Sequence, residues 1–278
     1  MRGTPGGHAG SQMARPLPLL LLAAPLTALL CLALGCAHFV LALDRRWELA
    51  SLTLTHDAVL YAKEVHRVVT SPLVHGSLAH CVLNVTALWS LGGVLERKLG
   101  SGAYARMLVQ FTFLPVLLLL ALMAAAKRVQ RARARSAATL PLLARDTAAS
   151  DAPSPLLTGS TCGFSGALFA MAVVLAHDAN TASLLPAAHA EYVPFLRDPR
   201  AHPWVLLIVG KLLIPNSSAV GHACGMAVGY AHHFGLLSWM DTYWTVTLTA
   251  WLVGAAVAQH LRRRSAISVV ETGGGAPT

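Results

Sequence analysis

Successive apolar runs, most of them near bilayer length and closed by charge, constrain this chain more than any other feature. The first extends from Pro16 to Ala42. It is too long for a signal-peptide core of about 7 to 15 residues, so it is read as a retained span over residues 17–43, ending at Asp44-Arg45-Arg46. Two more follow at 77–95, closed by Glu96-Arg97-Lys98, and at 103–126, closed by Lys127-Arg128. Shorter runs cover 161–177, 203–214 and 220–237, with Pro215-Asn216-Ser217-Ser218 as a turn between the last two. A final run at 243–261 stops at Arg262-Arg263-Arg264. Composition agrees with this pattern. Of 278 residues, 55% are hydrophobic and 12% charged, at a mean hydropathy of +0.57, and a soluble domain carries about twice that charge. The predicted fold class is all-α, a polytopic transmembrane helical bundle of six core spans with 243–261 as a candidate seventh. Residues 1–16 form an N-terminal tail, 17–237 the membrane domain, and 238–278 the candidate extra span and C-terminal tail.

Between the spans, residues 48–71 are too polar to cross a membrane and are predicted to hold short interfacial helices. The longest loop is 127–160. Its basic start (Lys127, Arg128, Arg131, Arg133, Arg135) is expected to be a short surface helix, and its Ala/Ser/Pro-rich remainder disordered. The net charge of +9 is read as charge flanking the spans. No basic patch is interleaved with exposed aromatics, so nucleic acid is not an expected partner. The five cysteines form no CxxC pair, which indicates neither a zinc site nor a disulfide framework. Charge alone leaves the orientation open. A cytoplasmic N-terminus makes the loop at 96–100 cytoplasmic, but then puts the basic run at 127–135 on the other side, against the usual bias.

Polar residues inside apolar spans are costly and mark function or paired packing. Three clusters stand out. Span four carries Gly163-Phe164-Ser165-Gly166, a serine hydroxyl unshielded by bulky neighbours; taken alone it also reads as a helix-packing face. Span six carries Gly221-His222, with Gly225 and Gly229 four apart on one face, which lets a neighbouring helix approach closely. A lone intramembrane histidine could instead take a metal or a proton, but no second His or Cys in that span has ligand spacing. Span two carries His75, His80 and Asn84; the last two, at i and i+4, share a side and can donate to a developing oxyanion, or glue helices as a polar seam. Together the clusters supply a nucleophile, a base and oxyanion donors, each on its own helix. No acidic residue lies in these spans, so the arrangement would be a Ser–His dyad.

With these residues in this order, the sequence resembles the rhomboid family of intramembrane serine proteases over about residues 64–229. His66-Arg67 resembles the family's Trp-Arg pair of the first loop, with His for Trp, and Glu96-Arg97 the acidic–basic pair closing span two. Gly163-Phe164-Ser165-Gly166 matches the GxSG nucleophile motif, and His222, Gly225 and Gly229 match the catalytic histidine helix. The resemblance implies that Ser165 is the nucleophile and His222 the general base and then acid. His80, Asn84 and the Ser165 N–H would form the oxyanion hole, with Gly163 and His75 in support. Gly166, Phe169, Gly225 and Gly229 would pack the site. It further implies single-span membrane protein substrates, a wet cavity open laterally to the lipid bilayer, and no metal or organic cofactor. Phe169 stands where many relatives have Tyr. A ring there can still stack on His222, and the pattern is similar to the endoplasmic-reticulum subgroup, so an endomembrane location is expected.

Two rivals to the protease reading have distinct signatures. A catalytically inactive rhomboid-like protein that binds membrane clients for trafficking or degradation would usually lack the serine or the histidine. A proton-relay transporter would carry paired acidic residues in the spans.

Overall fold

The computed structural model describes residues 22–44, 48–139, 159–178, 198–240 and 242–273. The expected N-terminal tail and the stretch 140–158 of the long loop lie outside them. Among the described residues ten α-helices follow in order: α1 (Pro25–Leu43), α2 (Leu49–Leu52), α3 (His56–Leu60), α4 (His66–Thr70), α5 (Leu78–Leu99), α6 (Ser101–Thr139), α7 (Ser165–His177), α8 (His202–Leu213, preceded by a 3-10 turn at Pro199–Ala201), α9 (Ala219–His233) and α10 (Thr242–Gly273). The chain is an all-α membrane bundle. Among the described residues the strand-like pairing is a single antiparallel bridge between Leu54 and Thr161.

Three helices, α1, α5 and the apolar part of α6, are long and apolar enough to cross a membrane. By contrast α7, α8 and α9 have 13, 12 and 15 residues. At 1.5 Å per residue they reach about 18 to 22 Å, short of a hydrocarbon core of about 30 Å. Their ends therefore fall inside the depth of the membrane, where Ser165 begins α7 and His222 sits in the first turn of α9. Burial is distributed to suit lipid. Leu29, Leu32 and Phe39 of α1, Ile208 and Leu212 of α8, and Trp251 of α10 face outward, while Thr27, His80, Asn84, Gln110 and His222 are buried. Apolar side chains gain little by leaving lipid tails for one another, so close approach and polar contacts must hold such a bundle together.

The clearest polar clamp is Glu96, which is 1% exposed. Its carboxylate accepts the main-chain N–H of Leu26 at 3.0 Å and of Thr27 at 2.8 Å, and the hydroxyl of Ser101 at 2.8 Å. It thus ties the N-terminal end of α1, whose N–H groups lack intrahelical acceptors, to the junction of α5 and α6. Replacing Glu96 by alanine should orphan all three donors and lower stability by about 3 kcal/mol. Unfolding of the purified protein in mixed micelles measures this. A loss below about 1 kcal/mol would show that the donors find other partners.

The structure corrects one expectation. The basic run at 127–135 does not open a loop, nor does it form a separate surface helix; α6 runs unbroken through it to Thr139. Charges end a membrane span, but only Gly, Pro or a cap ends a helix, and Lys127 to Thr139 contains neither Gly nor Pro. Residues 48–71 form three short helices as expected. Their frame is polar. Arg67 donates to Glu64 at 2.5 Å and to the carbonyls of Ala50 and Thr53 at 2.5 and 2.7 Å. His66 donates through Nε2 to the Ser51 carbonyl at 3.1 Å and through its main-chain N–H to Gln259 of α10 at 3.2 Å. The histidine at the Trp position thus joins the first loop to α10 by hydrogen bonds.

Candidate active site

Among the described residues helices α7 and α9 share the most extensive contact, and glycine lets them approach closely. A Cβ on Gly225 would lie 2.1 Å from the Gly166 carbonyl oxygen, and one on Gly229 would lie 2.7 Å from that of Ala170. Backbone therefore meets backbone along this seam. The approach carries Ser165 at the first position of α7 to His222 in the first turn of α9, and Oγ and Nε2 share a hydrogen bond of 2.8 Å. The opposite ring nitrogen, Nδ1, is buried with no hydrogen-bond partner among the described residues, so no carboxylate of theirs orients the imidazole. Its orientation comes from Phe169, one turn along α7, whose ring stacks on His222 with centroids 4.5 Å apart and planes 27° apart. Stacking of this kind needs no hydroxyl.

Ser165 is held from the other side by the chain that precedes it. Leu54 and Thr161 exchange main-chain hydrogen bonds of 2.8 and 2.9 Å, and the Gly163 N–H donates to the Ser71 carbonyl at 2.8 Å. Gly163 has φ +109, a region that favours glycine, and a Cβ there would strike the His80 ring at 2.7 Å. His80 therefore lies against the backbone two residues before the serine. His75 packs edge-on to it at 5.1 Å between centroids. Among the described residues neither ring nitrogen of His75 has a partner at hydrogen-bond distance. Asn84 is buried beside them, and its Nδ2 donates to the His80 carbonyl at 2.8 Å. One amide hydrogen is thus committed to its own helix, leaving one for any other acceptor.

Two cavities meet at this cluster. One, of about 320 Å³, is walled largely by apolar groups such as Leu54, Val116 and Leu119, with Ser71, Thr161, Ser217, His80, His222 and Ser165 among the residues that line it. The second, of about 200 Å³, runs between α5 and α8 past Leu83, Ala87, Leu206, Val209 and Leu213. Its walls are nearly all apolar, and both cavities share His80, Ser165 and His222. A cavity with several polar groups in its wall and a nearly all-apolar groove therefore converge on one serine–histidine pair. No group of three or more His, Cys, Asp or Glu suited to a metal occurs among the described residues. Chemically, the cluster can hold a hydroxyl against a base, with main-chain N–H groups at the start of α7 and the His80 ring beside it.

The structure thus brings Ser165, His222, His80, Asn84, His75, Gly163, Gly166, Phe169, Gly225 and Gly229 into one place. The sequence did not suggest the Leu54–Thr161 bridge, the Ser71 carbonyl, or Pro115 of α6, which packs against Gly166. Two caps could have been read. Ser77 accepts the His80 N–H at 3.2 Å and Ser218 accepts the Gly221 N–H at 3.0 Å, the usual serine signal at a helix start.

Comparison with known proteins agrees with this arrangement. The chain matches the Rhomboid domain over residues 62–239. It is 29% identical over 203 residues to Rhomboid-like protein 15 of Arabidopsis thaliana, covering 70% of this chain and 44% of that protein. It is 28% identical over 195 residues to Rhomboid-related protein 4 of Homo sapiens, covering 70% and 53%. The mouse (Mus musculus) Rhomboid-related protein 4 is 29% identical over 182 residues, covering 65% and 49%. The chain spans about half the length of these curated relatives.

Proposed function

We propose, from the premise that this chain belongs to the rhomboid family, that it is an intramembrane serine endopeptidase acting through a Ser165–His222 dyad. The observation that carries the reading is the 2.8 Å bond between Oγ and Nε2, whose two residues line both cavities. Neutral His222, with its proton on Nδ1, accepts the Ser165 proton as Oγ attacks a peptide carbonyl. The imidazolium then returns that proton to the leaving amine, and water repeats the sequence on the acyl-enzyme. The oxyanion is received by the Ser165 N–H and by His80, with the second Asn84 amide hydrogen in reach of the same groove. His75 supports His80 edge-on.

Substrates are single-span membrane proteins. An unwound segment enters through the apolar groove between α5 and α8, and water enters through the larger cavity, past Ser71, Ser217 and Ser218. The location is an endoplasmic-reticulum or other endomembrane, in keeping with Phe169.

A fluorophosphonate probe applied to the full chain in liposomes tests the proposal. It should label the unmodified protein and neither Ser165→Ala nor His222→Ala. A folded protein that takes no label would support the client-binding alternative instead.

A further inference from the structure

Gln259 of α10 is bonded to the first loop through both halves of its amide. Its Oε1 accepts the main-chain N–H of His66 at 3.2 Å, and its Nε2 donates to the Lys63 carbonyl. One side chain thus holds both ends of the turn between α3 and α4. Lys63 has φ +57, a left-handed conformation that residues other than glycine seldom adopt. The Glu64 N–H donates to the Ala58 carbonyl at 2.8 Å, so Lys63 occupies the cap position after α3 where glycine is usual. Leu248 and Leu252 recur at helical spacing on the face of α10 that carries Gln259. Leu252 is buried in one cluster with Leu54 and Val68 of the first loop, and α10 packs more extensively on α4 than on α6.

From α4, hydrogen bonds continue to the nucleophile by two routes. Between them, His66, Arg67 and Thr70 donate to the carbonyls of Ala50, Ser51, Leu52 and Thr53. The residue that follows this fixed stretch, Leu54, exchanges main-chain bonds with Thr161. At the other end of α4, the Ser71 carbonyl takes the Gly163 N–H. Thr161 and Gly163 belong to the chain that delivers Ser165, and Thr53, Leu54 and Ser71 line its cavity. In lipid, apolar contact alone sets neither the depth nor the rotation of a helix, because lipid tails are equally good partners. Polar bonds must set them, and α10 makes such bonds at two levels. Gln110 of α6 donates to the Met240 carbonyl at 2.8 Å and to Thr245 at 3.2 Å. Gln259 reaches the first loop about 20 Å further along the axis.

We infer that Gln259 is a positioning residue for Ser165. From the last helix it fixes the Lys63–His66 turn, and with it α4, so that the Leu54–Thr161 and Ser71–Gly163 bonds hold the nucleophile against His222. The candidate seventh span is thereby part of the support of the site. This role deepens the endopeptidase reading and rests on it, so its test reads main-chain order and Ser165 reactivity separately.

Three variants of the full chain are compared with the unmodified protein in liposomes. Gln259→Met keeps the length of the side chain and loses both bonds. Gln259→Glu keeps an oxygen for the His66 N–H. Gln110→Met frees the same helix at its other level. Gln259→Met should slow fluorophosphonate labelling, and kcat for a single-span peptide, by about tenfold. KM should stay within about twofold, since the groove between α5 and α8 is untouched. The amides of Leu54 and Gly163 should exchange with solvent about tenfold faster. Gln259→Glu should return to within about threefold of the unmodified rate, and Gln110→Met should stay within about twofold in every measurement. The positioning role is overturned if Gln259→Met labels at the unmodified rate, or if Gln259→Glu is no faster than Gln259→Met. It is overturned as well if Gln110→Met slows labelling equally, which would make α10 a general stabiliser of the bundle. An unmodified protein that takes no label removes the endopeptidase reading alone. Exchange at Leu54 and Gly163 then still decides whether Gln259 orders the first loop, and exchange unchanged in Gln259→Met overturns that role.

Discussion

His222→Ala should lower the rate of peptide-bond cleavage in liposomes by about 10⁴-fold or more while leaving a folded bundle. The imidazole is the base within reach of Oγ, at 2.8 Å, and an unactivated serine hydroxyl is a weak nucleophile. The structural cost is smaller. The ring gives up its stack on Phe169, about 1 kcal/mol. The lost ring makes no polar contact through Nδ1, so no hydrogen-bond partner is stranded on that side. Single-turnover cleavage of a single-span substrate, beside a thermal melt of the same sample, measures both effects. Retention of a tenth of the original rate would show that another group takes the proton.

The second large effect is steric and lies outside the reacting atoms. In Gly225→Ala the new methyl would meet the Gly166 carbonyl oxygen at 2.1 Å, its carbon at 2.9 Å and Cα at 3.0 Å. All three are backbone atoms, so neither side can turn away, and α7 and α9 must separate by about 1 Å. A displacement of that size costs about 10²-fold in rate when it misaligns reacting groups. Here it would stretch the Ser165–His222 bond, whose two ends ride on the separated helices. Gly254→Ala on α10 is the control, since no atom lies within 4 Å of its would-be Cβ. It should leave activity unchanged and gain a few tenths of a kcal/mol from helix propensity. Equal activity of the two variants would mean that the seam does not set the catalytic distance.

Both expectations depend on a seam written in the sequence as Gly225 and Gly229, four residues apart. That spacing was legible because a helix repeats its faces every three to four residues. The partner strip, Gly166 and Ala170 on α7, has the same spacing. Phe169 was legible only through the family resemblance, as the ring where many relatives carry Tyr. Asn84 was harder. Its position facing the site follows from i,i+4 spacing with His80, but the return of its Nδ2 to the His80 carbonyl depends on a side-chain torsion that spacing does not specify.

By itself, the sequence determined the membrane character of this protein, the approximate place of each apolar helix, and which polar residues (His80, Asn84, Ser165 and His222) fall in or beside the apolar runs. Those properties follow from apolar run length and helical periodicity, both local. Tertiary structure alone decided the rest. It set the 2.8 Å contact between residues 57 positions apart, the Leu54–Thr161 bridge that anchors the chain before the nucleophile, and the meeting of two cavities at one hydroxyl. It also carried α6 past Lys127, because a charge cluster marks the edge of lipid but does not stop a helix. Distances between helices depend on which backbones can touch, and that is settled only when both surfaces are in place.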